Sequence, residues 1–368
     1  MNRRTFLSAT GGLLFMKTTL SRPMNTNLFS ISKKNPIVLQ PNERDILTLA
    51  ALAPSGHNTQ PWQIEYIEPY HWIIGNDSSR WLPVVDPNQR ETMLSLGAFS
   101  QSLDYAAGYY GYHCQWTLLA TSNQDEEVLD VKLIKSGQVA NFDITKLQER
   151  RTMRAPFLDK AISGQDMLAL TASEKEHFVY IPRNDPHWRR LNEQTLDANR
   201  QQTYRNQAQQ ELANWIRFSE TDAKSHRDGL TTAGLELTGI SGWVVSHFFT
   251  PATVLKKSFR EQGLKRVSEQ VAHSGGWLLL TSPDSTPTAL LEAGRRLQRL
   301  WVQLRERSIA LHPMTQLLEE GPYCQQLPGE LGISQPIQFL LRIGYVRDYP
   351  KPVSLRRSVD DFLTDHRS

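Results

Sequence analysis

Apolar positions along the chain fall into two helical patterns separated by strand-like runs. Residues 46–53 repeat at helical spacing, a polar loop follows, and residues 62–67 and 71–74 read as strands. A long helix is predicted over residues 89–110, where Met93, Leu94, Leu96, Phe99 and Leu103 share a face. Ser95, Gly97, Ala98, Ala106, Ala107 and Gly108 are interleaved with them, and small residues let a second backbone approach closely. Strands near 114–120 and 128–134 complete this half.

The second half starts near Arg150. Ser163 with Asp166 three residues later predicts a helix start running to residue 170. A strand is expected at 177–181, polar helices over 186–218, and a Gly-rich irregular stretch over 229–242. A strand at 277–281, a long helix over 288–308, a buried-type strand at 337–345 and a proline-broken arm from 347 follow. The two long helices share a pattern: Leu94, Gly97, Gln101 and Leu103 match Leu291, Gly294, Gln298 and Leu300 at a constant offset. Two diverged copies of one α/β unit are expected, at residues 36–148 and 149–368.

Composition narrows the class. The 368 residues are 39% hydrophobic and 21% charged, which is globular. A net charge of +3 gives no argument for nucleic acid, and no apolar run is long enough for a transmembrane span. Cys114 and Cys324 allow one bridge or two free thiols. Metal-ligand spacings, a phosphate-binding glycine loop and a nucleophile elbow are all missing from the sequence. At the N-terminus, Asn2-Arg3-Arg4-Thr5-Phe6-Leu7 precedes a modest apolar run, the pattern of a twin-arginine export signal. Residues 1–35 are therefore expected to be a leader, and the protein periplasmic, although no A-x-A cleavage site is present.

Two clusters carry candidate chemistry. Pro54-Ser55-Gly56-His57-Asn58-Thr59-Gln60-Pro61-Trp62 is a stiff loop presenting short hydroxyl and amide groups, suited to the edge of a flat heterocycle. His57 alone is weak, because a lone loop histidine is usually structural; Trp62 is a candidate cover. The second cluster is Arg150-Arg151-Thr152-Met153-Arg154-Ala155-Pro156-Phe157. Its guanidinium groups match phosphate geometry, and Arg150, Thr152 and Arg154 would share one side of an extended segment. The pairs Arg189-Arg190, Arg295-Arg296 and Lys256-Lys257 read as solvated faces.

The first cluster resembles the PSxxNxQPW loop of the FMN-dependent nitroreductase superfamily, and the second its RRSxRxF element. Gly344-Tyr345, Lys351-Pro352 and Arg356-Arg357 resemble the closing GYP…R element, and His312-Pro313-Met314-Thr315-Gln316 a segment bordering the flavin. The resemblance implies the α/β nitroreductase fold in two fused halves. It assigns Arg150, Arg151, Thr152, Arg154, Arg356 and Arg357 to an FMN phosphate. Pro54, Ser55, Gly56, Asn58 and Gln60 would meet the ring or ribityl chain, and Pro313, Thr315 and Gln316 the central ring. No second copy of either element occurs; the stretch equivalent to RRSxR in the first half reads Ile31-Ser32-Lys33-Lys34-Asn35. One composite flavin site per chain follows, as in the Acg-type branch of single-chain pseudo-dimers with twin-arginine leaders. The implied activity is two-electron reduction of a quinone- or nitroaromatic-like acceptor, with a small-molecule electron donor. The implied protein is monomeric, uses the twin-arginine export machinery, and has no stable membrane insertion and no nucleic-acid partner. The alternative is a non-catalytic protein that binds or sequesters FMN beneath a lid built from residues 186–218 and 229–242.

Overall fold

The computed structural model describes residues 37–237 and 239–365. The leader expected over residues 1–35 lies outside them. Helix α1 (Glu43–Ala50) enters a sheet of β1 (Trp62–Glu68), β2 (His71–Asn76), β3 (Tyr112–Leu118) and β4 (Glu127–Lys135), with α2 (Arg90–Tyr109) between β2 and β3. After α3 (Gly164–Thr171), β5 (Phe178–Pro182), α4 (Pro186–Tyr204), α5 (Asn206–Trp215), α6 (Gly239–Phe248) and α7 (Lys257–Ala272), the chain forms β6 (Gly276–Thr281) and α8 (Pro287–Trp301). It ends with β7 (Ile309–Pro313), α9 (Gln316–Glu319), β8 (Ile337–Tyr345) and β9 (Leu363–Asp365).

The first sheet runs β9-β1-β2-β4-β3 and the second β5-β6-β8-β7. Neighbours are antiparallel except β9, which returns from the end of the chain to lie parallel to β1, Ile64 beside Leu363. The C-terminal arm therefore leaves the second sheet and is sewn into the first. Residues 278 and 280 of β6 join the large core containing α2 and α8, while Trp277 and Leu279 face a second core with Leu191 and Val271. That two-sided burial is why β6 reads as a continuous apolar run rather than an alternating one.

Met93, Leu94, Leu96, Phe99 and Leu103 of α2 are all buried, as the periodicity requires. α2 packs along α8, Gly97 against Leu291 and Gly294 against Leu94. Gln298 donates to the Ser102 hydroxyl across this contact, and Arg299 to the Gln101 side chain. Ser163 caps α3 by accepting from the Asp166 amide.

Several expectations change. The polar region 186–218 is two helices broken at Arg205, and the irregular stretch ends at Gly239, where α6 begins. The long helix stops at Trp301, followed by a single 3-10 turn, Arg305–Arg307. The Arg295-Arg296 pair is not a solvated face: Arg295 pairs with Asp104 on α2, and Arg296 is buried against Glu174. Trp62 covers no pocket; it is fully buried and stacked on Phe99, because β1 turns it into the core. Cys114 and Cys324 are free thiols.

Candidate flavin-binding cleft

Loop 54–58, segment 150–154 and the C-terminal arm meet around one cleft. Its walls include Pro54, Ser55, His57, Asn58, Arg150, Arg151, Thr152, Arg154 and Arg356, and it encloses about 780 Å³ counting its open mouth.

The local folding explains the meeting. The loop leaves α1 with His57, Asn58 and Gln60 at positive φ (47°, 57° and 54°), so it doubles back instead of extending. The Ser55 hydroxyl fixes this turn by accepting from the Gln60 amide at 3.0 Å. Segment 150–154 is held at the sheet's end by the Met153 amide donating to Leu311 O and the Trp301 indole donating to Arg151 O.

The cations crowd here. Arg150 lies over the Trp301 ring at 4.7 Å and donates to Leu52 O, the same carbonyl that receives Arg356. Burial pushes Arg150 and Arg154 down to about 10 and Arg356 to about 9, the last helped by the charge of Arg150. Burial strips water from these guanidinium groups, which stay protonated at neutral pH. Nε and Nη1 of Arg150, Nε of Arg151 and Nε of Arg356 are buried donors without a partner. Glu236 is the acid opposite them, pairing with Arg151 at 2.8 Å and accepting from the Arg154 amide at 3.0 Å. An anion with several acceptor oxygens is what this donor set fits.

A strap from the Gly-rich stretch, which the sequence offered as lid material, closes one side. Gly229, Leu230, Thr231 and Gly234 line the cleft. The Gly229 amide donates to Asn58 O, and the Asn58 amide nitrogen donates to Gly229 O and Leu355 O. The Asn58 carbonyl accepts from Arg356 at 2.9 Å. Asn58 thus joins loop, strap and arm, and its polar groups are used inside the protein. His57 lies on the wall and is held neutral, pushed down to about 4 by burial and then by the Arg154 charge.

The remaining sequence-predicted residues lie outside this lining. Gln60 is fully buried, accepting from the Arg357 amide and donating to Arg227 O; Arg357 donates to Gln60 O and Trp62 O. This pair fastens the arm to β1, because a buried guanidinium next to free strand-edge carbonyls satisfies both. Pro313 ends β7. Thr315 donates to Glu319 at 2.7 Å, and the Gln316 side chain accepts from Asn199.

Gly56 instead abuts Glu91, in the first turn of α2. A Cβ at Gly56 would stand 3.3 Å from Glu91 Oε2, and Arg90 donates to Glu91 Oε1 at 3.0 Å. Sequence reading missed Glu91, since an acidic residue in a helix's first turn is ordinary. Among the described residues no cluster of His, Cys, Asp or Glu is arranged to hold a metal, and no helix is long and apolar enough to cross a membrane.

No family model matches the chain. It is 24% identical over 344 residues to "Probable NAD(P)H nitroreductase PigM" of Serratia sp., covering 87% of this chain and 92% of that protein. That similarity, along nearly the whole of both chains, supports the nitroreductase superfamily. Solved structures are more distantly alike. The FMN-dependent nitroreductase NfnB of Mycobacterium smegmatis, solved with NADPH, has 16% identity over 56% of this chain and 91% of its own, with a TM-score of 0.35. A candidate nitroreductase of Anabaena variabilis has 10% identity over 85% and 90%, with a TM-score of 0.43.

Proposed function

We propose that this chain is an FMN-dependent oxidoreductase of nitroreductase type, reducing a quinone- or nitroaromatic-like acceptor by two electrons at one composite site. The observation that carries the reading is the meeting of Arg150, Arg154 and Arg356 with loop 54–58 around one cleft. The partnerless donors of Arg150 and Arg356, with Arg154 and the Thr152 hydroxyl, would hold the phosphate. Each charge-assisted contact would contribute roughly 1.5–3 kcal/mol. Pro54, Ser55 and His57 would border the rest of the cofactor, and the strap would exclude water.

FMN, when bound, supplies the two-electron chemistry. The chain's part would be to fix the cofactor and to exclude water from it. The name of PigM makes a reduced nicotinamide nucleotide the first electron donor to try. The two halves would be diverged copies fused as in the Acg-type branch, with one site retained and the protein monomeric. The leader would direct the folded, loaded protein to the periplasm by the twin-arginine route.

A second reading, flavin holding without turnover, is favoured by the strap itself. Asn58–Gly229, Gln60–Arg227 and Arg227–Arg356 contacts tie it over the cleft, and Glu236 reaches into the arginine cluster. The purified protein should carry about one FMN per chain; two per chain, or none, would overturn the composite site. Reduction of the holo-protein by NADPH followed by reoxidation with a quinone supports the enzyme, whereas inertness to NADPH, dithionite and quinols supports the holding role.

A further inference from the structure

Helix α6 is too apolar for the surface on which it lies. It runs into Trp243-Val244-Val245-Ser246-His247-Phe248-Phe249, and a segment carrying so many apolar side chains is ordinarily buried. Here only one face is. Val245 and Phe249 pack with Ile216, Phe218, Val254 and Phe259, whereas Trp243 is 54% and Phe248 65% exposed. The exposed rings lean on one another: Trp243 stacks on His247 at 4.8 Å and meets Phe248 edge-on at 5.6 Å. Leu255 is a further exposed apolar side chain, and Lys256 and Lys257, both exposed, follow it directly. Val254 and Phe259 flank these lysines and share a cluster with Val245 and Phe249, so the lysines are held beside α6.

We propose that α6 and the lysines beside it dock the protein on an anionic phospholipid bilayer. Trp243 and Phe248 would enter the headgroup layer, and Lys256 and Lys257 would meet lipid phosphates.

Charge complementarity selects this partner. No acidic residue occurs between Glu236 and Glu261. Acids on neighbouring elements are engaged elsewhere: Glu236 with Arg151, Glu211 of α5 with the Val84 and Val85 amides, and Asp228 with Arg80 and Arg217. Glu220 is paired with Lys224 and Asp222 with His226. Glu261 reaches Lys257 at 3.6 Å, but both side chains are more than half exposed, and solvent screens such a pair.

Tryptophan favours the boundary between hydrocarbon and water, and ammonium groups gain from the negative surface potential of acidic lipids. At about 15 Å long, α6 is too short to span the roughly 30 Å hydrocarbon core, so it would lie in the plane of the interface. A two-fold contact between copies on this face would set the lysines of each against those of the other, which disfavours self-association.

The docking surface stands independently of the flavin reading, but it bears on the acceptor. α6 continues the strap whose Gly229, Leu230, Thr231 and Gly234 line the cleft. A docked chain would hold that strap close to the membrane surface, which favours a lipid-soluble acceptor such as a quinone.

The test is co-sedimentation of the full chain with phosphatidylcholine vesicles, with and without one third phosphatidylglycerol. The protein should pellet with the acidic vesicles and far less with the neutral ones, and added salt should release it. Trp243→Ser combined with Phe248→Ser should weaken binding about tenfold or more. Lys256→Ser combined with Lys257→Ser should weaken it roughly 30-fold. All four side chains are exposed, so both variants should keep the wild-type thermal midpoint. Flavin-free and flavin-loaded protein should bind alike, so the docking and the flavin reading stand or fall separately. No pelleting with acidic vesicles would overturn the proposal. Binding unchanged in both variants would also overturn it, by placing the contact elsewhere, such as residues 1–35. A solution dimer that Trp243→Ser dissociates would overturn it in favour of a second copy on this face.

Discussion

Gly97 and Gly294 make the same contact from opposite sides. A Cβ on Gly97 would stand 2.0 Å from Leu291 O, and a Cβ on Gly294 would stand 2.0 Å from Leu94 O. Each glycine lies against the leucine three residues before the other, so the helices cross as two equivalent partners. The offset that relates the helices in sequence also relates them in space. This crossing positions both flanks of the site, because α2 starts against Gly56 of the loop and the chain after α8 leads into β7 and Pro313.

Either glycine replaced by alanine should be enough to disturb this crossing. The obstacle is backbone, which cannot rotate away as a flexible side chain can. Gly97→Ala and Gly294→Ala should each destabilise by about 1–3 kcal/mol or more, read as a lowered thermal midpoint. A variant as stable as the wild type would mean that the helices do not pack this closely in solution.

Arg150 and Arg357 should respond in opposite ways. Arg150 keeps two buried donors without partners, so Arg150→Met should leave the flavin-free protein as stable as before or slightly more so. It should nevertheless weaken FMN binding about tenfold or more. Arg357 ties three carbonyls, those of Gln60, Trp62 and Asp361, to the arm. Arg357→Met should cost about 2–3 kcal/mol of stability, since those buried acceptors lose their donor. Thermal melts and flavin titrations on the same two variants separate the roles, and equal behaviour would refute the distinction.

Acid should weaken the wall of the cleft through His57. Its folded pKa is lowered to about 4 from 6.5, so between these values the unfolded chain binds the proton and the folded one does not. The contribution is complete above pH 6.5 and is lost as pH falls towards 4, amounting to about 1–3 kcal/mol. His57→Gln should flatten the stability profile in that window. A variant with the wild-type slope would show that the imidazole titrates normally.

Asn58 should behave as a fastener. Asn58→Ala removes one acceptor and one donor that together hold Arg356, Gly229 and Leu355. Amide hydrogen exchange across residues 229–237 should quicken at least tenfold, and bound flavin should leave faster. Protection unchanged by the substitution would mean that the strap is held by its other contacts, at Arg227 and Glu236.

Much of this arrangement was legible from local chemistry. The buried face of α2, the small residues that admit a second helix, the Ser163 cap and the two clusters of donors are each written within a few neighbouring residues. Periodicity and side-chain chemistry report such features directly. The sequence therefore determined what the pieces are: two helices able to touch, a rigid polar loop and a run of guanidinium groups. Only the tertiary structure decided which members of each piece face the cleft. Arg356 reaches it while the adjacent Arg357 turns back to β1; Ser55 faces it while Gly56 abuts Glu91. Neighbours on an extended backbone point to opposite sides, and which side is inside depends on partners some 170 to 300 positions away, Gly229 and the arm beside Asn58. The contact of Glu91 with Gly56 was hidden for the same reason. Glu91 is an ordinary surface-type residue in the chain, and it meets Gly56 only once α2 and loop 54–58 have been brought together in the fold.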